Sequence, residues 1–198
     1  LRGGGRLFTR DSSAARAEVW IPDKTGKPAR QLSRANDAQL AGMGAVTSQR
    51  FSFAGANGET VWGQIHKPAG ASGKLPLLLF VHGGPQGTYN DSWSWRWNPK
   101  AFTDAINKDW GGKPLIDLQK GMEAAIKIDA ALDGDNSCAL GASYGGYMMN
   151  WIEGQWPDRF KCLVQHDGVF DARAMAYETE ELWFDEWEHG GKPYHEDP

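Results

Sequence analysis

A mixed α/β fold, a mostly parallel sheet flanked by helices, is what this chain predicts, and three observations predict it. The run Leu77–Val81 inside "KLPLLLFVHGGPQG" is unbroken apolar text, which suits a strand covered on both faces. The stretch "NSCALGASYGGYMMNWIEGQW" reads as strand, sharp turn and helix, and "RFKCLVQHDGVFD" as another buried strand opening into a loop. Strands that alternate with helices argue for parallel pairing, because a parallel neighbour needs a crossover connection.

The elements follow in order. From Arg6 to about Leu32, "RLFTRDS", "AEVWIP", the turn "DKTGK" and "ARQL" read as short antiparallel strands. "SRANDAQLAGMGAV" is small and polar enough to be a connector, so a domain boundary is expected within residues 34–47. "QRFSFAGANGETVWGQIHKP" then gives two alternating strands around Asn57-Gly58, a hairpin signal. In "PLIDLQKGMEAAIKI", Leu115, Leu118, Met122, Ala125 and Ile126 fall near helical spacing and predict a helix.

Composition narrows the class of function. With 40% apolar and 23% charged residues over 198 positions the chain can bury a core, and its net charge of -4 comes without any basic run. Nucleic acid and polybasic membrane docking therefore have no support, and no apolar run is long enough for membrane insertion. The opening "LRGGGRLFTR" lacks the apolar core of a signal peptide, so an exported protein would already have lost its signal. Cys138 and Cys162 sit in short apolar runs and are expected as buried free thiols. No histidine pair has metal-site spacing and no glycine loop matches a phosphate or dinucleotide pattern, so neither metal nor cofactor is expected.

Within this frame Gly141-Ala142-Ser143-Tyr144-Gly145 stands out. A nucleophile elbow is a strand-to-helix turn so tight that bulk two residues either side of the nucleophile would clash, and Gly141 and Gly145 remove that bulk. The helix that follows aims free N–H groups at Ser143, favouring negative charge nearby. "VHGGPQG" supplies a second part. Its His82-Gly83 turn at a strand end offers a backbone N–H, the N–H of Tyr144 offers another, and together they predict an oxyanion hole of the α/β-hydrolase kind. His82 is expected to shape this loop rather than move protons.

"GASYGGYMMNW" followed by "PDRFKCLVQHDGVFD", with "FVHGGPQG" before and "FTDAINKDWGGKPLIDLQKG" between, resembles the prolyl oligopeptidase family of serine peptidases, nearest to its bacterial dipeptidyl-peptidase 5 and acylaminoacyl-peptidase branch. "FTRDSSAARAEVWIPDKTGKPARQL" resembles the last blade of the β-propeller that precedes the hydrolase domain there. The resemblance implies a division into residues 1–40, the incomplete end of a propeller, and residues 41–198, an incomplete α/β-hydrolase domain. It implies that Ser143 attacks a peptide carbonyl to form an acyl-enzyme, with short peptides as substrates and dipeptides or acylated residues as products. Val169, Phe170 and Tyr177 take positions that would line an apolar substrate pocket, whereas Trp183, Phe184 and Trp187 of "ELWFDEWEHGG" are expected to pack. A homodimer is compatible with the resemblance, and the periplasm is the expected compartment, the cytoplasm its alternative.

Two departures qualify the pattern. Chain order in this fold is serine, acid, histidine, each partner on a loop after a later strand. His166, His189 and His195, with Asp167, Asp171, Asp185 and Asp197, follow Ser143 but are poorly placed, and the true partners are expected beyond residue 198. At "RWNPKAFTDAI" Lys100 abuts Ala101, where the family carries a helix and a buried strand; the sequence reads there as a join. Beside the peptidase, an esterase on the same scaffold and a non-enzymatic interaction module remain as readings.

Overall fold

The computed structural model describes residues 6–12, 15–22, 29–84, 91–92 and 108–191. The join at Lys100-Ala101, the "FTDAI" element, the "DKTGK" turn, His195 and Asp197 lie outside the described residues. The chain divides into two compact units, one made of Leu1–Gln49, Gln64–Ala71 and Tyr89–Lys100, the other of Arg50–Gly63, Ser72–Thr88 and Ala101–Pro198.

In the first unit β1 (Phe8–Ser12), β2 (Ala15–Ile21) and β3 (Arg30–Gln31) form an antiparallel sheet in that order, with Phe8 opposite Trp20 and Trp20 opposite Gln31. Glu18 on β2 is buried, and its carboxylate accepts from the Ser33 hydroxyl, from the backbone N–H groups of Ala35 and Asn36, and from the Asn36 amide. The Ser33 bond in particular holds that carboxyl below its ordinary pKa, so an ionised Glu18 ties the segment after β3 to the strand. A short helix, α1 (Asp37–Leu40), occupies part of the expected connector. β4 (Val46–Ala54) and β5 (Thr60–Pro68) pair as a two-stranded sheet; its turn-side residues, Arg50–Gly63, belong to the second unit, and it turns at Gly58, whose φ of 84° is one that glycine adopts without strain.

The second unit carries the parallel sheet. β6 (Leu75–Val81), β7 (Leu132–Ala142) and β8 (Cys162–His166) lie in the order β6-β7-β8, with Leu79 opposite Ala139 and Ala139 opposite Leu163. The helix α2 (Gly112–Ile128) precedes β7 and α3 (Tyr144–Gln155) precedes β8. The apolar spacing predicted for α2 is the one it uses: Met122 and Ala125 are buried, while Leu115 and Leu118 pack against the core cluster to which Met148, Met149 and Ile152 of α3 belong. Those three α3 residues are almost wholly buried, each contributing roughly 2 kcal/mol of apolar burial. Asp117 of α2 reaches the hairpin turn and accepts the Ala56 N–H at 2.6 Å, and Lys120 donates to the Gly55 carbonyl at 2.6 Å.

Two expectations change here. The β6 run was expected to be covered on both faces, yet among the described residues Leu78 is 61% and Val164 54% exposed, on the face opposite to Leu79, Ala139 and Leu163. Successive right-handed crossovers that add strands in one direction place their helices on one side, which is where α3 lies. Nor are the cysteines free: Cys138 and Cys162 are register partners on β7 and β8, 4.8 Å apart at Cα, and are joined in a disulfide. The bridge spans 24 residues and, by loop-closure entropy, stabilises the fold by about 3 kcal/mol.

Candidate active site

Ser143 makes the whole junction between β7 and α3. Its φ of 57° and ψ of -122° lie where a side chain costs energy, and it is exposed although the residues after it are buried. The expected glycines explain how the turn closes. A Cβ on Gly141 would run into the Gly145 carbonyl and one on Gly145 into the Val81 carbonyl, so strand, helix and neighbouring strand touch backbone to backbone. Gly146 was not singled out by sequence reasoning, yet it is equally confined: a Cβ there would lie 2.5 Å from the Cα of Gly168.

The loop after β6 approaches the serine directly. A Cβ on Gly83 would stand 2.9 Å from the Ala142 carbonyl oxygen, 3.1 Å from the Ser143 Cβ and 3.7 Å from its Oγ. The His82 ring bonds its own loop, Nδ1 to the Gly83 carbonyl oxygen at 2.6 Å, in keeping with a shaping role. Tyr144 opens α3, so its N–H has no acceptor within the helix and stands at the positive end of the helix dipole. A serine hydroxyl beside such groups can carry acyl chemistry once a base takes its proton, because the donors stabilise charge as it forms.

Below the elbow lies a cluster that the sequence did not reveal. The Tyr144 side chain turns inward, its hydroxyl donating to the Trp110 carbonyl at 2.8 Å, and burial, with Tyr147, Asp109 and Glu188 nearby, pushes its pKa far up, keeping it a neutral donor. Trp110 in turn donates its indole N–H to the buried Glu188 at 2.8 Å, and the His189 ring lies 4.8 Å from the indole. The partners are 34 and 78 residues apart, too far for local pattern to join them.

The downstream acids and histidines form pairs of their own. His166 Nε2 lies 3.3 Å from Asp167 on the exposed end of β8, and His189 Nε2 lies 3.5 Å from the buried Asp185 on α5 (Leu182–His189). Burial raises the Asp185 pKa, offset in part by His189. Asp171 caps α4 (Ala172–Glu178), accepting from the N–H groups of Arg173 and Ala174. Among the described residues no side chain bonds Ser143 Oγ.

Of the expected pocket residues, Val169 packs partly against the core, whereas Phe170 is 86% and Tyr177 64% exposed. Trp183 and Trp187, expected to pack, are also exposed. The helical turn of α5 sends Phe184, Asp185 and Glu188 inward instead, with Phe184 against the core.

Comparison with known proteins places this geometry. Residues 97–197, which include the elbow, match the pattern of the prolyl oligopeptidase family. The dipeptidyl-peptidase 5 of Aspergillus fumigatus (strain Af293) is 40% identical over 227 aligned positions, covering 91% of this chain and 31% of that protein. The dipeptidyl-peptidase 5 of Porphyromonas endodontalis is 30% identical over 218 positions, covering 98% of this chain and 31% of its own. In fold, an acylaminoacyl peptidase of Pyrococcus horikoshii superposes with a TM-score of 0.83 at 22% identity, over 98% of this chain and 34% of that one. The chain thus spans under a third of the length of these curated relatives. The Aspergillus alignment is longer than the 198 residues of the chain, so within the aligned span that relative carries residues this chain lacks. The family pattern and the relatives' sequence identity, both running through the strand, turn and helix around Ser143, make this chain a member of the prolyl oligopeptidase family of serine peptidases.

Proposed function

We propose that this chain carries the nucleophile of a serine exopeptidase that releases dipeptides or acylated residues from the amino end of short peptides. The observation that supports it is the exposed, strained Ser143 with the Gly83 backbone against it and the amino end of α3 behind it. In this reading Ser143 Oγ attacks the scissile carbonyl, a histidine held by an aspartate takes the hydroxyl proton and passes it to the leaving amine, and water clears the acyl-enzyme. The oxyanion would accept from the N–H of Tyr144 and from the His82-Gly83 turn. The dipeptidyl-peptidase 5 relatives support the dipeptide product. Their greater length is where the proposal seeks the histidine and aspartate, and β1 to β3 would be the last blade of a propeller that restricts substrate size.

Val169, Phe170 and Tyr177 would meet the side chain before the scissile bond, favouring apolar or aromatic residues. The bridged cysteines support an oxidising compartment such as the periplasm. One observation favours a second reading, an interaction module: among the described residues nothing bonds Ser143 Oγ. Labelling with a fluorophosphonate, alongside turnover of a dipeptidyl amide and of a simple ester, tests all three. Labelling at Ser143 with amide turnover supports the peptidase, labelling with ester turnover alone supports the esterase, and no labelling supports the module.

A further inference from the structure

The residue that bears the strain in the elbow is held from β8 as much as from its own strand. Three ties join β8 to the elbow. The first is the Cys138–Cys162 disulfide between register partners on β7 and β8. The second lies at the far end of the same ladder, where Ala142 stands opposite His166 and the Ser143 N–H donates to the His166 carbonyl at 3.1 Å. The third, in the loop just past β8, is the backbone packing of Gly146 against Gly168. Of these, the hydrogen bond and the packing are reversible contacts, and only the disulfide is covalent.

The bridge also encloses what it would hold. Its 24-residue span contains Ser143 and all of α3, so the elbow and its helix form a loop closed by one bond. Among the described residues β8 pairs with β7 alone. A serine at φ 57° keeps that conformation only while its surroundings over-determine it. A strand free to slip or fray would give up the His166 carbonyl first, because that bond is the last in the ladder.

We propose that Cys138 and Cys162 are positioning residues for the nucleophile: their bridge clamps β8 to β7 so that the Ser143 backbone keeps the conformation that presents its hydroxyl. The reading rests on Ser143 as the proposed nucleophile. Opening the clamp is thiol–disulfide exchange with a dithiol reductant. The dithiol gives two electrons and two protons, closing into its own disulfide, and both cysteines become thiols. Cys162 is exposed and Cys138 half-buried, which leaves one sulfur-bearing residue within reach of the attacking thiolate.

The test compares the oxidised protein, the protein held reduced in dithiothreitol, and the double variant Cys138→Ser/Cys162→Ser. Three readouts apply: far-UV circular dichroism, amide hydrogen exchange of the Ser143 segment, and turnover of a dipeptidyl amide. The clamp predicts an unchanged fold, exchange at the Ser143 amide at least about tenfold faster, and kcat lower by a similar factor with KM within about twofold. Two free thiols in the untreated protein would overturn it, as would unchanged exchange after complete reduction. Global unfolding on reduction would also overturn it, since the bridge would then hold the fold rather than the elbow. If the oxidised protein neither labels nor turns over substrate, the peptidase reading fails, and the exchange measurement still decides the clamp.

Discussion

Tyr144 and Trp110 meet twice: the Tyr144 hydroxyl donates to the Trp110 carbonyl at 2.8 Å, and the two rings cross edge to face with centroids 5.3 Å apart. The residue whose main chain is proposed to face the oxyanion thus uses its side chain to anchor the elbow from below. The two roles separate experimentally. Tyr144→Phe should lower stability by about 1 kcal/mol in urea unfolding, through one lost buried hydrogen bond, while leaving fluorophosphonate labelling within about threefold.

The strain at Ser143 gives a second expectation. Ser143→Ala and Ser143→Gly both remove the hydroxyl and should abolish labelling, but only glycine relieves a φ of 57°. The glycine variant should be the more stable of the two by about 1 kcal/mol, read from paired thermal or urea melts. Equal stabilities would mean that the backbone is relaxed.

Gly145 has no room for a methyl group, because its Cβ would meet the carbonyls of Val81 and His82. Gly145→Ala should cost about 3 kcal/mol and suppress labelling of whatever remains folded. Gly154→Ala, on the same helix with open space around it, should cost nothing and serves as the control.

A pH dependence follows from Asp185. Burial raises its pKa in the folded state above the ordinary carboxylate value, so its neutral form favours folding. That contribution is fully present below the unfolded-state pKa of about 4 and is lost as pH rises through the folded-state value. His189, 3.5 Å away, works against this when protonated. Glu186 acts the other way and raises the Asp185 pKa further. Asp185→Asn should therefore gain stability relative to the parent as pH rises from 4 to 8, measured as the difference in Tm. His189→Phe should steepen the parent's loss.

How far these features were legible depends on their range along the chain. The elbow could be read because everything it needs, from Gly141 to Gly145, lies within one turn, and α2 could be read because Met122 and Ala125 repeat at helical spacing. The disulfide could not, since parallel register is set by how α3 folds back and not by the text around Cys138 or Cys162. Trp183 and Trp187 misled for a related reason: apolar content alone suggests packing, but the phase of α5 was fixed by the burial of Asp185 and Glu188, which no rule of composition anticipates. Trp110 gave no signal at all, its partners being remote in sequence.

β7 ends at Ala142 and α3 begins at Tyr144, so a single residue forms the joint between them. A helix turns by about 100° for each residue added, so a one-residue insertion at this joint would swing Met149 and Ile152 out of the core and Trp151 into it. The length of the turn is thereby set by the hydrophobic interior. Descendants of this sequence can vary Phe170 and Tyr177 at the surface without disturbing that interior, but the position of the serine is inherited with the packing of α3.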